Sequence, residues 1–163
     1  MLVLCAGVLA ALLAALIVLV RAPDRIAQRR GYAGGPSMFA LDTNIWPGRE
    51  RDLLAAYGDV GRREIIITHL ALDLPFVVAY TAFFVGFLGR SQRPWSRCLP
   101  LAAGAADVIE DAGIILMATD FPDEHAGLPG ATIAFTLLKD ALFAVSAGLT
   151  LAEFRKRNWL TNA

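Results

Sequence analysis

His69 and Asp73 stand four residues apart in an otherwise apolar stretch; Asp107, Glu110 and Asp111 share a second; Lys139 and Asp140 share a third. These are the residue types that hold protons, cations or polar head groups: carboxylates, an imidazole that titrates near neutrality, and an ammonium. Placing charge in hydrocarbon is costly, so ionisable residues inside apolar runs mark a candidate functional site. Helical spacing gathers them. His69 and Asp73 fall on one face, which Phe76 and Tyr80 continue. Asp107, Glu110 and Asp111 fall on a single face with Ala103 and Ile114. Thr132, Phe135, Thr136, Lys139, Phe143, Ser146 and Thr150 form a third stripe, with Asp140 about 100° around the helix, toward a further helix or a subunit boundary.

Counting charge sharpens the reading. Asp73, Asp107, Glu110, Asp111 and Asp140 supply five carboxylates against the single ammonium of Lys139. Like charges at close range cannot all ionise, so such a site holds protons, binds a cation or opens to water. Asp73 and Glu110 are candidates for a proton-transferring pair if the protein is an enzyme. Lys139, Asp107, Asp111, His69, Tyr80, Thr136 and Asp140 are the candidate ligand-contacting residues, while Ser146 and Thr150 suit close helix packing. His69, Asp73, Asp107 and Glu110 offer nitrogen and oxygen ligands. A lysine in the same cluster argues against a compact dication, so no metal is assigned. No cofactor is expected beyond a bound proton or cation.

The elements that carry these residues are four long apolar runs: Leu2–Val20, Ile65–Leu88, Leu99–Ala118 and Ala131–Ala152. Each approaches or exceeds the roughly 20 residues that cross about 30 Å of hydrocarbon. The expectation is an all-α, polytopic four-helix transmembrane bundle, one domain over residues 1–163. Counted from the nearer run end, Asp73, Asp111 and Lys139 all lie roughly 11–12 Å deep. Pro75 lacks a backbone donor and favours a kink beside Asp73. The runs are continuous rather than alternating, which disfavours a barrel. Leu2–Val20 lacks a basic n-region and reads as a retained helix rather than a cleaved signal peptide.

The loop Arg21–Glu64 should lie outside, with an irregular Gly31–Pro36, a short interfacial helix at Arg51–Tyr57 closed by Gly58, and Trp46 at head-group level. Asp42, in this loop, reads first as a turn or cap residue, and second as a group reaching the site from above. Arg90, Arg93 and Arg97 between runs two and three, and Arg155, Lys156 and Arg157 after run four, place both termini in the cytoplasm. The eight arginines of Arg21–Glu64 oppose that orientation. Fifteen basic and fifteen acidic residues balance, so nothing indicates nucleic acid. Cys5 and Cys98 form no dithiol motif, and two histidines in all, His69 and His125, do not suit a bis-histidine haem within the bilayer.

Asp42, Asp73-Leu74-Pro75 with Tyr80, Asp107-Val108-Ile109-Glu110-Asp111, and Thr136-Leu137-Leu138-Lys139 together resemble the pattern of a widespread family of small bacterial four-helix membrane proteins. In that pattern an Asp follows helix one, Asp-x-Pro and Tyr mark helix two, Asp-x-x-Glu-Asn helix three and Thr-x-x-Lys helix four. Asp111 stands where that family usually has Asn, and Asp140 where Trp is common. The resemblance implies a multi-pass protein of the bacterial cytoplasmic membrane and supplies no established activity. In layout, and in Leu74-Pro75-Phe76, the chain is also similar to EXPERA membrane proteins, which bind sterols and amphiphilic amines through buried carboxylates. The function expected is binding of a lipid or small amphiphile between helices two, three and four, with acid–base chemistry as an extension. The alternatives are a proton- or cation-coupled transport subunit, which four helices would form by homo-oligomerisation, and a structural subunit locked by its ion pairs.

Overall fold

The computed structural model describes residues 23–32, 35–46, 48–89, 93–123 and 125–161. The first apolar run, Leu2–Val20, with Cys5, lies outside the described residues, as does Arg90. All regular structure among the described residues is helical. After a helical stretch over 23–29 come α1 (Arg49–Thr68), a π-helical turn (His69–Asp73), α2 (Leu74–Leu88), α3 (Cys98–Asp120) and α4 (Leu128–Thr161). Among the described residues, two stretches, Arg49–Leu88 and Leu128–Lys156, are long and apolar enough to cross a membrane.

The long loop is more helical than expected. The short helix foreseen at Arg51–Tyr57 begins at Arg49, and Gly58 turns the chain with φ 60°, ψ −176°. That backbone suits glycine, which has no Cβ to clash. Instead of a loop to Glu64, the chain resumes helix directly and runs through Arg62, Arg63 and Glu64. Charge hides these residues from a hydropathy reading, yet Arg62 and Glu64 have partners at hand and Arg63 is exposed. Arg62 donates to the Leu54 carbonyl (3.0 Å), pairs with Asp59 and lies over the Phe121 ring. Glu64 is buried and receives Arg30 at 3.1–3.2 Å. At its far end α4 continues nine residues beyond the expected Ala152.

Pro75 explains the π-helical turn. It cannot donate to Ala71, and the ladder relaxes by one residue, with the Leu74 N–H bonding the His69 carbonyl five residues back. The expected disturbance beside Asp73 therefore takes the form of a wider turn, spanning His69 to Asp73. α3 packs against α1, α2 and, most extensively, α4. Close approach there requires small residues: a Cβ on Gly113 would run into Thr132 Oγ1, and one on Gly104 into Thr81 Oγ1.

Two apolar clusters form along the helices. One joins Tyr32, Met38, Leu41, Leu54, Tyr57 and Ile65 to Ile114 and Met117, so residues 23–46 make a packed cap on one end of the helices. Tyr57 donates to the Ser37 carbonyl, Tyr32 to the Pro36 carbonyl at 2.7 Å, and Asp24 accepts from the Met38 N–H at 2.7 Å. The other cluster joins Val77, Tyr80 and Phe84 to Ala103, flanked by Phe76, Leu142 and Ala147. The candidate site residues of the π-helical turn and of α3 lie between the two clusters in chain order. Ile65 precedes His69 and Asp73, and Val77 follows; Ala103 precedes Asp107–Asp111, and Ile114 follows.

Candidate functional site: a charged layer in two halves

The charged layer divides into a lysine half and a histidine half. In the lysine half, Lys139 Nζ on α4 reaches two acids of α3, Asp107 Oδ1 at 2.9 Å and Glu110 Oε2 at 2.6 Å. Tyr80 of α2 donates its hydroxyl to the other Asp107 oxygen at 2.8 Å. Thr136, one turn before Lys139, donates to Glu110 Oε1 at 2.7 Å. Glu110 is fully buried, Asp107 nearly so, and the lysine side chain is 17% exposed. Each residue arrives here by helical spacing: three residues separate Asp107 from Glu110 and Thr136 from Lys139, which sets each pair on one face. One ammonium thus ties two carboxylates, with a phenol and a hydroxyl completing the set.

The histidine half is built differently. His69, in the π-helical turn, is completely buried and sets Nδ1 2.9 Å from the Ile65 carbonyl, a geometry in which Nδ1–H donates. That fixes Nε2 as the face turned to Asp42 Oδ1 at 3.2 Å and to Asp111 Oδ1 at 4.0 Å. Asp42 comes from the cap, Asp73 from the far end of the π-helical turn and Asp111 from α3. One donor atom from each of Asp42, His69, Asp73 and Asp111 lies within 4.8 Å of the others. Asp42 and Asp111 side chains are only 9% and 6% exposed. Even so, Asp42 Oδ2 and both Asp111 oxygens are buried with no hydrogen-bond partner. The Phe39 ring leans over the imidazole, centroids 6.0 Å apart.

Of the residues expected in one site, Tyr80, Asp107, Glu110, Thr136 and Lys139 come together in one half. His69, Asp73 and Asp111 come together in the other. Asp140 does not join: it is exposed on a different face of α4, as the 100° step from Lys139 requires. Asp42 takes its place as the fifth carboxylate. The turn reading of Asp42 was incomplete, because the same turn carries its side chain onto His69. Loop residues have no helical period to betray their direction. Ser146 and Thr150 return their hydroxyls to α4 carbonyls four residues back, as packing residues do.

A cavity of about 290 Å³ opens elsewhere, between the start of α1, the end of α3 and the 121–129 connection. Leu54, Met117 and Phe121 line it beside Glu50, Arg51 and His125, and no residue of the charged layer reaches it. Cys98 is a free, exposed thiol and takes no part. Comparison with protein-family models, with curated proteins and with solved structures finds no match to this chain.

Proposed function

We infer that the chain is a small polytopic membrane protein whose buried acidic layer binds a ligand that brings positive charge. The membrane reading is supported by an inside-out pattern on α3. Its three acids are 0–5% exposed, while Leu101, Val108, Ile109 and Leu116 are 42–54% exposed. α4 repeats this, with Thr132, Thr136 and Ser146 buried and Leu137, Val145 and Leu151 at least half exposed. In water that arrangement wastes apolar burial; in hydrocarbon it is the favourable one. Short-loop arginines favour cytoplasmic termini, the cap outside and a site in the outer half of a bacterial cytoplasmic membrane.

One observation carries the binding reading. Asp111 keeps both carboxylate oxygens buried and unpartnered, a state that costs several kcal/mol unless something answers it. A layer whose only task was to lock helices would pair every carboxylate oxygen, as the lysine half does, where even Glu110 Oε2, which makes no hydrogen bond, meets Lys139 at 2.6 Å. The ligand class that fits is a lipid or small amphiphile with a cationic head, or a bound cation. Helix locking is a second reading, favoured for the lysine half alone by its complete pairing.

Two measurements test this. Reporter fusions after Arg93 and at the C-terminus should both read cytoplasmic, and a periplasmic signal at either reverses the orientation. Native mass spectrometry of gently solubilised protein should detect a positively charged species that Asp111→Asn loses. A bare chain in both samples would leave locking as the layer's role.

A further inference from the structure

We propose that Asp42, His69, Asp73 and Asp111 form a site for a first-row divalent cation, held by the imidazole Nε2 and one oxygen of each carboxylate. The inference deepens the reading above and rests on it, naming a metal ion as the positive charge that the layer receives.

The geometry of His69 comes first. Its Nδ1–H donates to the Ile65 carbonyl, so the ring is oriented and Nε2 is left to face two carboxylates. Metal-binding histidines are held in this way, with the far nitrogen donating to a carbonyl or carboxylate while the near one coordinates. A neutral Nε2 turns a lone pair toward Asp42 and Asp111, which is repulsive unless a positive centre lies between them.

Second, the four donors are convergent and close to coordination distance. In a metal site with ligand bonds of about 2.1 Å, opposite donors lie roughly 4.2 Å apart and neighbouring donors nearer. The four atoms here, all within 4.8 Å of one another, need move inward by less than about 1 Å to reach such bonds. They arrive from three separate places in the chain: the cap, both ends of one π-helical turn, and α3. Packing on either side by Met38, Ile65 and Ile114 fixes those places.

Third, the unpartnered oxygens belong to this half. Asp42 Oδ2 and both oxygens of Asp111 are buried without hydrogen bonds. A proton on His69 would answer Asp42 at 3.2 Å but would leave Asp111 at 4.0 Å unbonded. A dication centred among the four answers Asp111 directly. Three carboxylates also fit the charge, since two of their three formal charges are cancelled by the ion. The objection from Lys139 falls away, because that ammonium is committed to Asp107 and Glu110. One imidazole with three carboxylates is a mixed nitrogen–oxygen set, suited to Mn²⁺, Fe²⁺ or Zn²⁺ rather than to Cu⁺, which prefers sulfur.

The test uses the full-length protein in mild detergent. After removal of metal with a chelator and dialysis, Mn²⁺, Fe²⁺, Co²⁺, Zn²⁺ and Mg²⁺ are added singly. Bound metal is counted by elemental mass spectrometry, unfolding temperature is followed, and Co²⁺ absorption and Mn²⁺ paramagnetic resonance report the ligand field. About one equivalent of a first-row ion should bind, with a rise in unfolding temperature that grows with its concentration. Asp111→Asn and His69→Phe should each weaken binding by more than the roughly 10–100-fold that follows loss of an outer-shell partner. Asp140→Asn, exposed on α4, should bind as the wild type. Should either site variant fail to fold, the wild-type Mn²⁺ complex decides alone, since a directly bound imidazole nitrogen modulates the Mn²⁺ electron spin echo. Failure of every ion to bind the wild type, or undiminished binding in a folded Asp111→Asn, overturns the metal site. If an organic cation is then found bound and is lost in Asp111→Asn, the binding reading stands with a different ligand. If none is found, both readings fall.

Discussion

The two halves of the charged layer hold similar groups and differ in how those groups are satisfied. Asp107 and Glu110 share one lysine and take a phenol and a threonine hydroxyl besides. Asp111, adjacent to Glu110 on the same helix, has no hydrogen bond at either oxygen. Burial is therefore a poor guide to role: Glu110 is the more deeply buried of the two and the better paired. A paired buried charge specifies packing, whereas an unpaired one calls for a proton, a cation or water. The lysine half reads as the scaffold that holds α2, α3 and α4 in register, and the histidine half as the site that this scaffold supports.

The sharpest way to break this division is Lys139→Met. Removing the ammonium leaves Asp107 and Glu110 buried without their partner, and breaking a buried pair from one side costs about 3–5 kcal/mol. Combined with Glu110→Gln, the loss should be smaller than the two single losses added, and denaturation in detergent measures that coupling. Strict additivity would mean that Lys139 does not hold these acids, and the scaffold role would go with it.

A smaller effect separates the halves more cleanly. Glu110→Gln and Asp111→Asn make the same chemical change at neighbouring positions of α3. With a chelator present, Glu110→Gln should destabilise by about 1.5–3 kcal/mol, the worth of hydrogen bonds to a charged group. Asp111→Asn should instead leave stability unchanged or raise it by about 1 kcal/mol, since it removes an unanswered buried charge. Unfolding temperatures of the two variants, measured side by side, check the sign. A loss at Asp111 as large as that at Glu110 would show a partner for Asp111 other than a ligand.

How far the sequence revealed this layout depends on the element concerned. On the helices, spacing brought Asp107 to Glu110's face and set Thr136 one turn from Lys139, because i, i+3 and i, i+4 neighbours follow from helical pitch alone. The same rule placed Asp140 off that face, and it is exposed. Depth counting put Asp73, Asp111 and Lys139 at one level, and all three fall in the layer. Depth cannot say which of several acids at one level the lysine chooses; that depends on helix rotation and on side-chain reach. Asp42 was the hardest to foresee, since a turn residue owes its direction to the packing of Met38 and Leu41 beneath it. The helix through Arg62–Glu64 was hidden for a related reason: Glu64 is answered by Arg30, and Arg62 by the Leu54 carbonyl across the Gly58 turn, contacts that no local pattern encodes.

The cap offers the smallest test, because it covers the histidine half and not the lysine half. Burial, and then the nearby charge of Asp24, push the Tyr32 phenol up to about 12 from its ordinary 10. The folded cap therefore holds this proton more tightly than the unfolded chain. The stability so gained is fully present below pH 10 and is lost as pH rises through 12. Absorbance should show a phenolate appearing near pH 12 rather than near 10 in the folded protein, and Tyr32→Phe should remove that step. The phenol also donates to the Pro36 carbonyl, which leads into the Met38–Asp42 segment lying on His69. Tyr32→Phe should consequently weaken ligand retention at His69 and Asp111 by a few-fold, on the scale of one neutral hydrogen bond of about 1 kcal/mol. The coupling between Lys139 and Glu110 should not move, because Phe84, Val77 and Ala103 pack that half from the opposite side. An equal effect of Tyr32→Phe on both halves would mean that they respond as one unit, and the contrast between scaffold and site would have to be given up.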